Sequence, residues 1–350
     1  MKKISYRRRE YLDRRARAIS IGMRERRVLG PSRPGAPRRR LSDIVTVSAP
    51  DKFELSDEVN RLAVLAFFDR VVAELDAGKR VRIGFGETAR LHPCGTLVLM
   101  ANIDAWMTTY PGKLLCDHPK DEVVEELFQH VGLLAKFGHN PRREVSSERV
   151  AHWHFYSGTT VDPSAFLSLT EAIIDEIDHP NAPLFADCLN EAICNTVGHA
   201  YRHAPSALMP MELQKWWIFS QYKDDHFFVA IYDIGDGIPR TIRRKPEWIE
   251  YLRPRHYKDG SILRSVISST RTSTYQPERG KGLPEMLEFS QSLNAGGLSI
   301  LSAKGGFRYD AKTQSMRHRN FRQPLPGTLV QWTIPFRKEQ GNGNNELLNS

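Results

Sequence analysis

Three residues at four-residue intervals open the chemical reading: Glu191, Asn195 and His199, inside the run PLFADCLNEAICNTVGHAY that follows Ala182. At about 100° per residue they fall within about 80° of one another on a helix, with Leu189, Ile193, Val197 and Ala200 on roughly the opposite face. One face is core and the other is a polar stripe. A merely solvated face uses the same residue types, so the helix alone does not choose between them. Downstream, Asp233-Ile234-Gly235-Asp236-Gly237-Ile238-Pro239 ends an apolar run. An Asp at a strand exit accepts a hydrogen bond from an exocyclic amine, and glycines two apart let the backbone approach a ligand, although a tight turn needs the same residues. Further on, Arg279-Gly280-Lys281-Gly282-Leu283 precedes Pro284. A glycine-rich loop at a helix N-terminus offers its amides as an anion cradle.

Positioning these groups takes a small set of elements. The stripe needs a helix over residues 182–201, and Asp233 needs a strand over 226–236. The glycine-rich loop needs a helix over 284–294, where Pro284 suits the first turn. A last strand over 329–335, opened by Gly327-Thr328, closes the unit. A strand at 151–157 and a helix at 164–178, ending before Pro180, precede it. Residues 240–278 form a long connection whose part at 268–276, SSTRTSTYQ, is polar and rich in hydroxyls. Residues 308–322 read as an extended basic hairpin with Tyr and Phe interleaved, a surface feature that could also bind nucleic acid.

Taken in order, EAICNTVGHAY, DIGDGIP, GKGL and GTLVQWTIP resemble the N-box, the two glycine boxes and the last strand of the GHKL (histidine kinase-like) ATPases. The nearest likeness is to the anti-sigma-factor serine kinases. The resemblance implies a Bergerat-type two-layer α/β sandwich over residues 151–336, with ATP and Mg²⁺ as cofactors. Carried over, it makes Asn195 the Mg²⁺ ligand and Asp233 the acceptor of the adenine amine. Gly235 and Gly237 shape the adenine-side turn, while Arg279, Gly280, Lys281, Gly282 and Leu283 stand at the phosphates. Thr328 holds adenine through Asp233 or a water, His199 supports the helix face or the phosphates, and Glu191 is the catalytic carboxylate that polarises water or an acceptor hydroxyl. A single Asn suffices, because Mg²⁺ keeps several waters and phosphate oxygens. Residues 240–278 become the ATP lid, with Arg271 a further charge for the triphosphate.

Ahead of this unit, residues 41–140 alternate short strands with helices: strands at 44–48, 81–85 and 114–116, and helices at 56–75, 94–107 and 121–134, the first capped by Ser56. This order resembles the STAS domain, giving a fold of the α/β (α+β) class throughout. In regulatory STAS members the turn before the second helix carries an Asp and a phosphorylatable Ser. Here it is Leu91-His92-Pro93-Cys94-Gly95-Thr96, so the phosphoswitch is expected to be dead, with Thr96 capping or packing.

The 350-residue chain carries a net charge of +9. Residues 1–40 hold two Lys and thirteen Arg against Glu10, Asp13 and Glu25, which is +12, so residues 41–350 total −3. This segment is an arginine-rich tail and linker, and residues 337–350 read as a disordered tail. No stretch approaches the roughly 18–20 uninterrupted apolar residues that span a bilayer, and a secretory h-region is missing, which leads to a cytoplasmic expectation with no membrane partner. Cys94, Cys116, Cys188 and Cys194 lack CxxC spacing and read as reduced, buried thiols. The expected function is a Mg·ATP-binding regulatory protein that slowly hydrolyses ATP to switch contacts with a protein partner encoded nearby. A serine/threonine kinase of the anti-sigma-factor type is the alternative, and nucleic-acid binding through residues 1–40 is third. The resemblance also admits a homodimer.

Overall fold

A computed structural model describes residues 44–142, 145, 150, 153–159, 182–203, 206–223, 225–244, 258–268 and 282–335. The tails 1–40 and 337–350, the helix expected at 164–178 and much of the connection 240–278 lie outside the described residues. The first part of the chain begins with β1 (Ile44–Ser48) and β2 (Lys52–Phe53), then α1 (Glu58–Asp76). After β3 (Arg80–Gly84) and β4 (Arg90–Leu91) come α2 (Pro93–Thr109), β5 (Leu114–Cys116), α3 (Glu122–His130) and the single turn α4 (Leu133–Lys136). Parallel pairing gives one sheet in the order β1-β3-β5 and a small one of β2 with β4.

Side-chain chemistry sets these boundaries. Asp57 caps α1, accepting from the Asn60 amide at 2.9 Å, whereas the expected cap Ser56 donates to Glu54 Oε1 at 2.6 Å. Asp121 caps α3 in the same way through Val124. The helix expected to run on to residue 134 breaks at Gly132, whose φ of 73° ends α3 and starts α4. Pro93 occupies the first turn of α2, where its missing N–H costs nothing. Thr96 is buried and donates to the His92 carbonyl at 3.1 Å, the packing role expected of it.

The second part is an antiparallel sheet in the order β6-β7-β8-β10-β9. Its members are β6 (Trp153–Gly158), β7 (Trp216–Lys223), β8 (His226–Asp233), β9 (Gly297–Asp310) and β10 (Ser315–Pro335). Between them stand α5 (Ala182–Asn195), α6 (Ile238–Ile242), α7 (Asp259–Ile267) and α8 (Gly282–Ser292). β7 has no counterpart among the sequence expectations, and β10 is a 21-residue strand rather than a short one at 329–335. The segment expected to be a lid is partly structural: Ile262, Leu263 and Ile267 of α7 are fully buried, and α7 packs on β9 and β10.

Both faces of this antiparallel sheet are covered. On one, Phe185, Leu189 and Ile193 of α5 meet Phe289 of α8 and Trp332 of β10, with the Phe185 and Trp332 rings edge-on at 5.4 Å. On the other, Trp217, Phe219, Tyr232 and Leu329 join Phe67, Leu97 and Val98 of the first part in one continuous apolar cluster. Polar contacts cross the same seam: Trp217 Nε1 donates to Asp104 Oδ2 at 3.0 Å, and the Arg322 amide donates to Glu58 Oε1 at 3.0 Å. Cys94 Sγ contacts the Gln331 side chain. α2 is buried around most of its circumference because it lies between two sheets. The molecule is thus a mixed α/β protein in which the two parts share a core. No helix among the described residues is long and apolar enough to cross a membrane. Cys94, Cys116 and Cys188 are buried free thiols, while Cys194, also free, is exposed rather than buried as expected.

Candidate functional site

The polar stripe of α5 exists, but the helix changes form at its end. Glu191 and Asn195 lie in the α-helical part, and Asn195 Nδ2 donates to Glu191 Oε1 at 3.1 Å. Thr196–Ala200 then forms a π-helical turn. The wider turn rotates its own residues relative to the stripe, so Val197, expected in the core, is 42% exposed, while Thr196 and Ala200 are buried. His199 falls in this turn, partly buried and engaged in an interaction of its own. Single π-turns recur where a helix serves a site rather than a core. Half-burial pushes the Glu191 carboxyl above its ordinary range, offset by the Asn195 hydrogen bond and reinforced by nearby Glu285.

The turn after β8 is locked onto the end of that helix. The Asp236 amide donates to the Ala200 carbonyl at 2.6 Å, and a Cβ on Gly235 would sit 2.2 Å from the same oxygen, so only glycine fits there. Tyr201 buttresses the junction: its hydroxyl donates to the Lys215 carbonyl at 2.6 Å and accepts from the Ile234 amide at 3.2 Å. Asp236 is a brace, taking the His203 amide at 3.2 Å and ion pairs from Arg240 at 3.4 Å and Arg244 at 3.9 Å. Asp233 is different in kind. Its carboxylate is buried, and it accepts from the Gly235 amide at 2.8 Å and from the Thr328 backbone. Desolvation dominates, pushing its pKa up to about 7.

The last two segments close on the same place. Thr328 pairs in register with Asp233 across β10 and β8. Its hydroxyl lies 3.0 Å from Ser302 Oγ of β9, which in turn donates to the Gly327 carbonyl and accepts from the Ile238 amide, each at 2.9 Å. Gly237, with φ of 80°, completes the turn beside Ser302. At the other end, a Cβ on Gly282 would fall 1.8 Å from Glu191 Cγ, so the start of α8 lies directly on the carboxylate-bearing face of α5. Leu283 packs behind it, against the cluster under α5 and against Ile242, Ile262 and Val266. Arg271, Arg279, Gly280 and Lys281 lie outside the described residues.

The site therefore gathers Glu191, Asn195, Asp233, Gly235, Gly237, Gly282 and Thr328 onto one wall. Ser302, Asp236 and Tyr201 are the structural partners that sequence reasoning did not assign. Only Tyr201 had a signal, as the aromatic after the stripe. Chemically, the wall offers one buried acceptor with its two donors fixed, one half-buried carboxylate of raised proton affinity, and one amide oxygen beside it. These fit the cofactors expected from the sequence: Asp233 suits an adenine amine, and the Asn195 oxygen suits a hard cation that keeps most of its own water. Among the described residues no group of three or more His, Cys, Asp or Glu side chains could hold a metal ion. Compared with known proteins, the chain matches no family model and no curated protein.

Proposed function

We propose that this chain is a Mg·ATP-binding regulatory protein, with a nucleotide unit of the GHKL kind in residues 151–336 backed by a STAS-like unit in residues 41–140. The observation that supports it is the meeting of four segments far apart in sequence: Glu191 against Gly282, Ala200 against Gly235, and Asp233 against Thr328. These are the segments that carry the resemblance. A tight turn, a solvated helix face or a glycine-rich loop each has a bland explanation, but none of those explanations requires the segments to touch.

In this reading Asp233 accepts the adenine amine while the Gly235 and Thr328 amides hold its carboxylate in place. Asn195 supplies its amide oxygen to Mg²⁺, which when bound neutralises phosphate charge. Glu191 takes a proton from the attacking water, a task favoured by its desolvation, and the Asn195 amide keeps the carboxylate aimed. Binding and slow turnover change what a partner protein contacts. The kinase alternative needs an acceptor hydroxyl on another protein, since Thr96, the hydroxyl nearest the STAS-type switch position, is buried and bonded within its own turn. Incubation with γ-labelled ATP and cell lysate tests the proposal. Release of free phosphate alone supports the regulatory ATPase, label on a discrete protein supports the kinase, and no retention or turnover of ATP refutes both.

A further inference from the structure

Beyond its pairing with β8, β10 continues with β9 as a two-stranded ribbon, residues 305–310 against 315–320. Register puts Arg308 directly opposite Arg317, and Gly306 opposite Arg319, so the three arginines share one face of the ribbon. Phe307 and Tyr309, both buried, share the other face with half-buried Met316 and exposed His318, and Ser268 Oγ lies 3.7 Å from Met316 Sδ. The arginine face is exposed. From Lys304 to Arg322 the chain holds Lys304, Arg308, Lys312, Arg317, Arg319 and Arg322 against Asp310 alone, a net +5, whereas residues 41–350 as a whole total −3. Among the described residues, none of these four arginines forms a salt bridge.

Like charges directly opposite one another destabilise a β-ladder, and the Asp310 carboxylate, which senses both Arg308 and Arg317, offsets only part of that cost. An anion lying across both guanidiniums removes that cost. We propose that the Arg308–Arg317–Arg319 face binds the phosphate backbone of duplex nucleic acid, a site separate from the nucleotide wall and independent of its assignment. Guanidinium forks match phosphate oxygens two at a time. Alternation along β10 spaces Arg317 and Arg319 by about 7 Å, and Arg308 stands about 5 Å across from Arg317, giving a two-dimensional array rather than a single contact. A two-stranded ribbon is also of a width that a major groove admits. Two observations favour a duplex over other polyanions. The aromatic on this face, Phe321, is 3% exposed and lies under the Arg319 guanidinium at 4.3 Å, so it offers no stacking platform for the bases of a single strand. Nor is there an exposed apolar anchor among the arginines, which an acidic protein partner would use for affinity.

The test uses the full chain and a short fluorescein-labelled duplex, with anisotropy read between about 50 and 200 mM salt. The R308Q/R317Q variant is expected to bind about tenfold more weakly at the middle of that range. Its slope of log affinity against log salt should be lower by about 2, roughly 0.9 for each phosphate no longer neutralised. Without duplex, the variant should melt no lower than the parent, because a repulsive pair has been removed. R308K/R317K keeps the charges and should restore the slope, which separates an electrostatic loss from a damaged fold. Unchanged duplex binding in R308Q/R317Q would assign any affinity to residues 1–40 and overturn the proposal. So would poly-glutamate displacing the duplex at equal charge while losing its own affinity in the variant, since the face would then be one for acidic protein.

Discussion

Arg61 Nη2 donates to the carbonyl oxygen of Ala303 at 3.0 Å, joining α1 of the first part to β9 across 242 positions of chain. Ala303 has φ of 51°, a left-handed conformation uncommon for a residue with a Cβ, and it follows Ser302, which bonds Thr328 in the candidate site. Arg61 also reaches the Gln323 carbonyl at 3.4 Å and stacks 4.0 Å over Phe321. It is fully buried, its Nε and Nη1 have no hydrogen-bond partner among the described residues, and desolvation pulls its pKa down to about 10, still charged at neutral pH. The guanidinium holds an unusual turn of main chain in place from behind the site.

Arg61→Ala should therefore cost roughly 2–4 kcal/mol of stability, because two partly buried carbonyls lose a donor and Phe321 loses its cover. Denaturant unfolding checks the figure, and Arg61→Lys should recover part of it. ATP affinity should fall with Arg61→Ala even where the variant is fully folded, as Ser302 and Thr328 are released from behind. A folded Arg61→Ala protein with parental ATP affinity would show that the turn does not depend on this contact.

Asp233 sets the pH dependence. Its folded-state pKa of about 7 lies above the unfolded value of about 4. Below about pH 4 both states hold the proton, and between about 4 and 7 only the folded state does, so its contribution to stability falls as pH rises through that window and is flat above it. ATP affinity should run the other way, since the adenine amine needs the ionised acceptor and binding expels the proton. Titrations from about pH 6 to 8 should show affinity rising, with Asp233→Asn weaker overall by roughly 1.5–3 kcal/mol and nearly flat with pH. An Asp233→Asn protein with unaltered affinity would remove this residue from the pocket.

Glu191→Ala should keep Mg·ATP binding and lose turnover, measured by phosphate release against a binding isotherm. Unchanged hydrolysis excludes Glu191 from the chemistry. Gly282→Ala probes the same spot from the opposite side. Its new Cβ cannot share space with Glu191, so α8 or the carboxylate must move, and turnover should fall although no reacting group has been removed.

Thermal unfolding should show a single transition, coincident by near-ultraviolet circular dichroism and tryptophan fluorescence, since Trp217 reports on the second part while bonded to Asp104 of the first. Two separated transitions would mean that the shared cluster does not couple the parts.

Much of this was readable in the residues. The strands at 44–48 and 114–116 match to the residue, because each is a short apolar run bounded by polar or turn residues, and Asp121 announced its helix by side-chain chemistry. Spacing and glycine punctuation made legible that Glu191 and Asn195 share a helix and that Asp233 ends a strand. β7 was not: Trp217 and Phe219 face the first part while Ile218 faces α5, so apolar residues on both faces erase the alternation that marks a strand. The π-turn has no composition of its own, so the exposure of Val197 on it does not follow from an α-helical period. Arg61 and Ser302 were invisible for a further reason. A buried charge or hydroxyl is explained only by its partners, and theirs lie on strands whose adjacency the local pattern does not encode.

The sheet with both faces occupied limits how the molecule can respond. A layer bound through tryptophans, a guanidinium and a carboxylate cannot swing away without exposing all of them, so any change in the sheet that α1 and α2 grip has to come as bending or twisting of its strands. Such bending acts along whole strands, and β10 runs on without a break into the arginine ribbon.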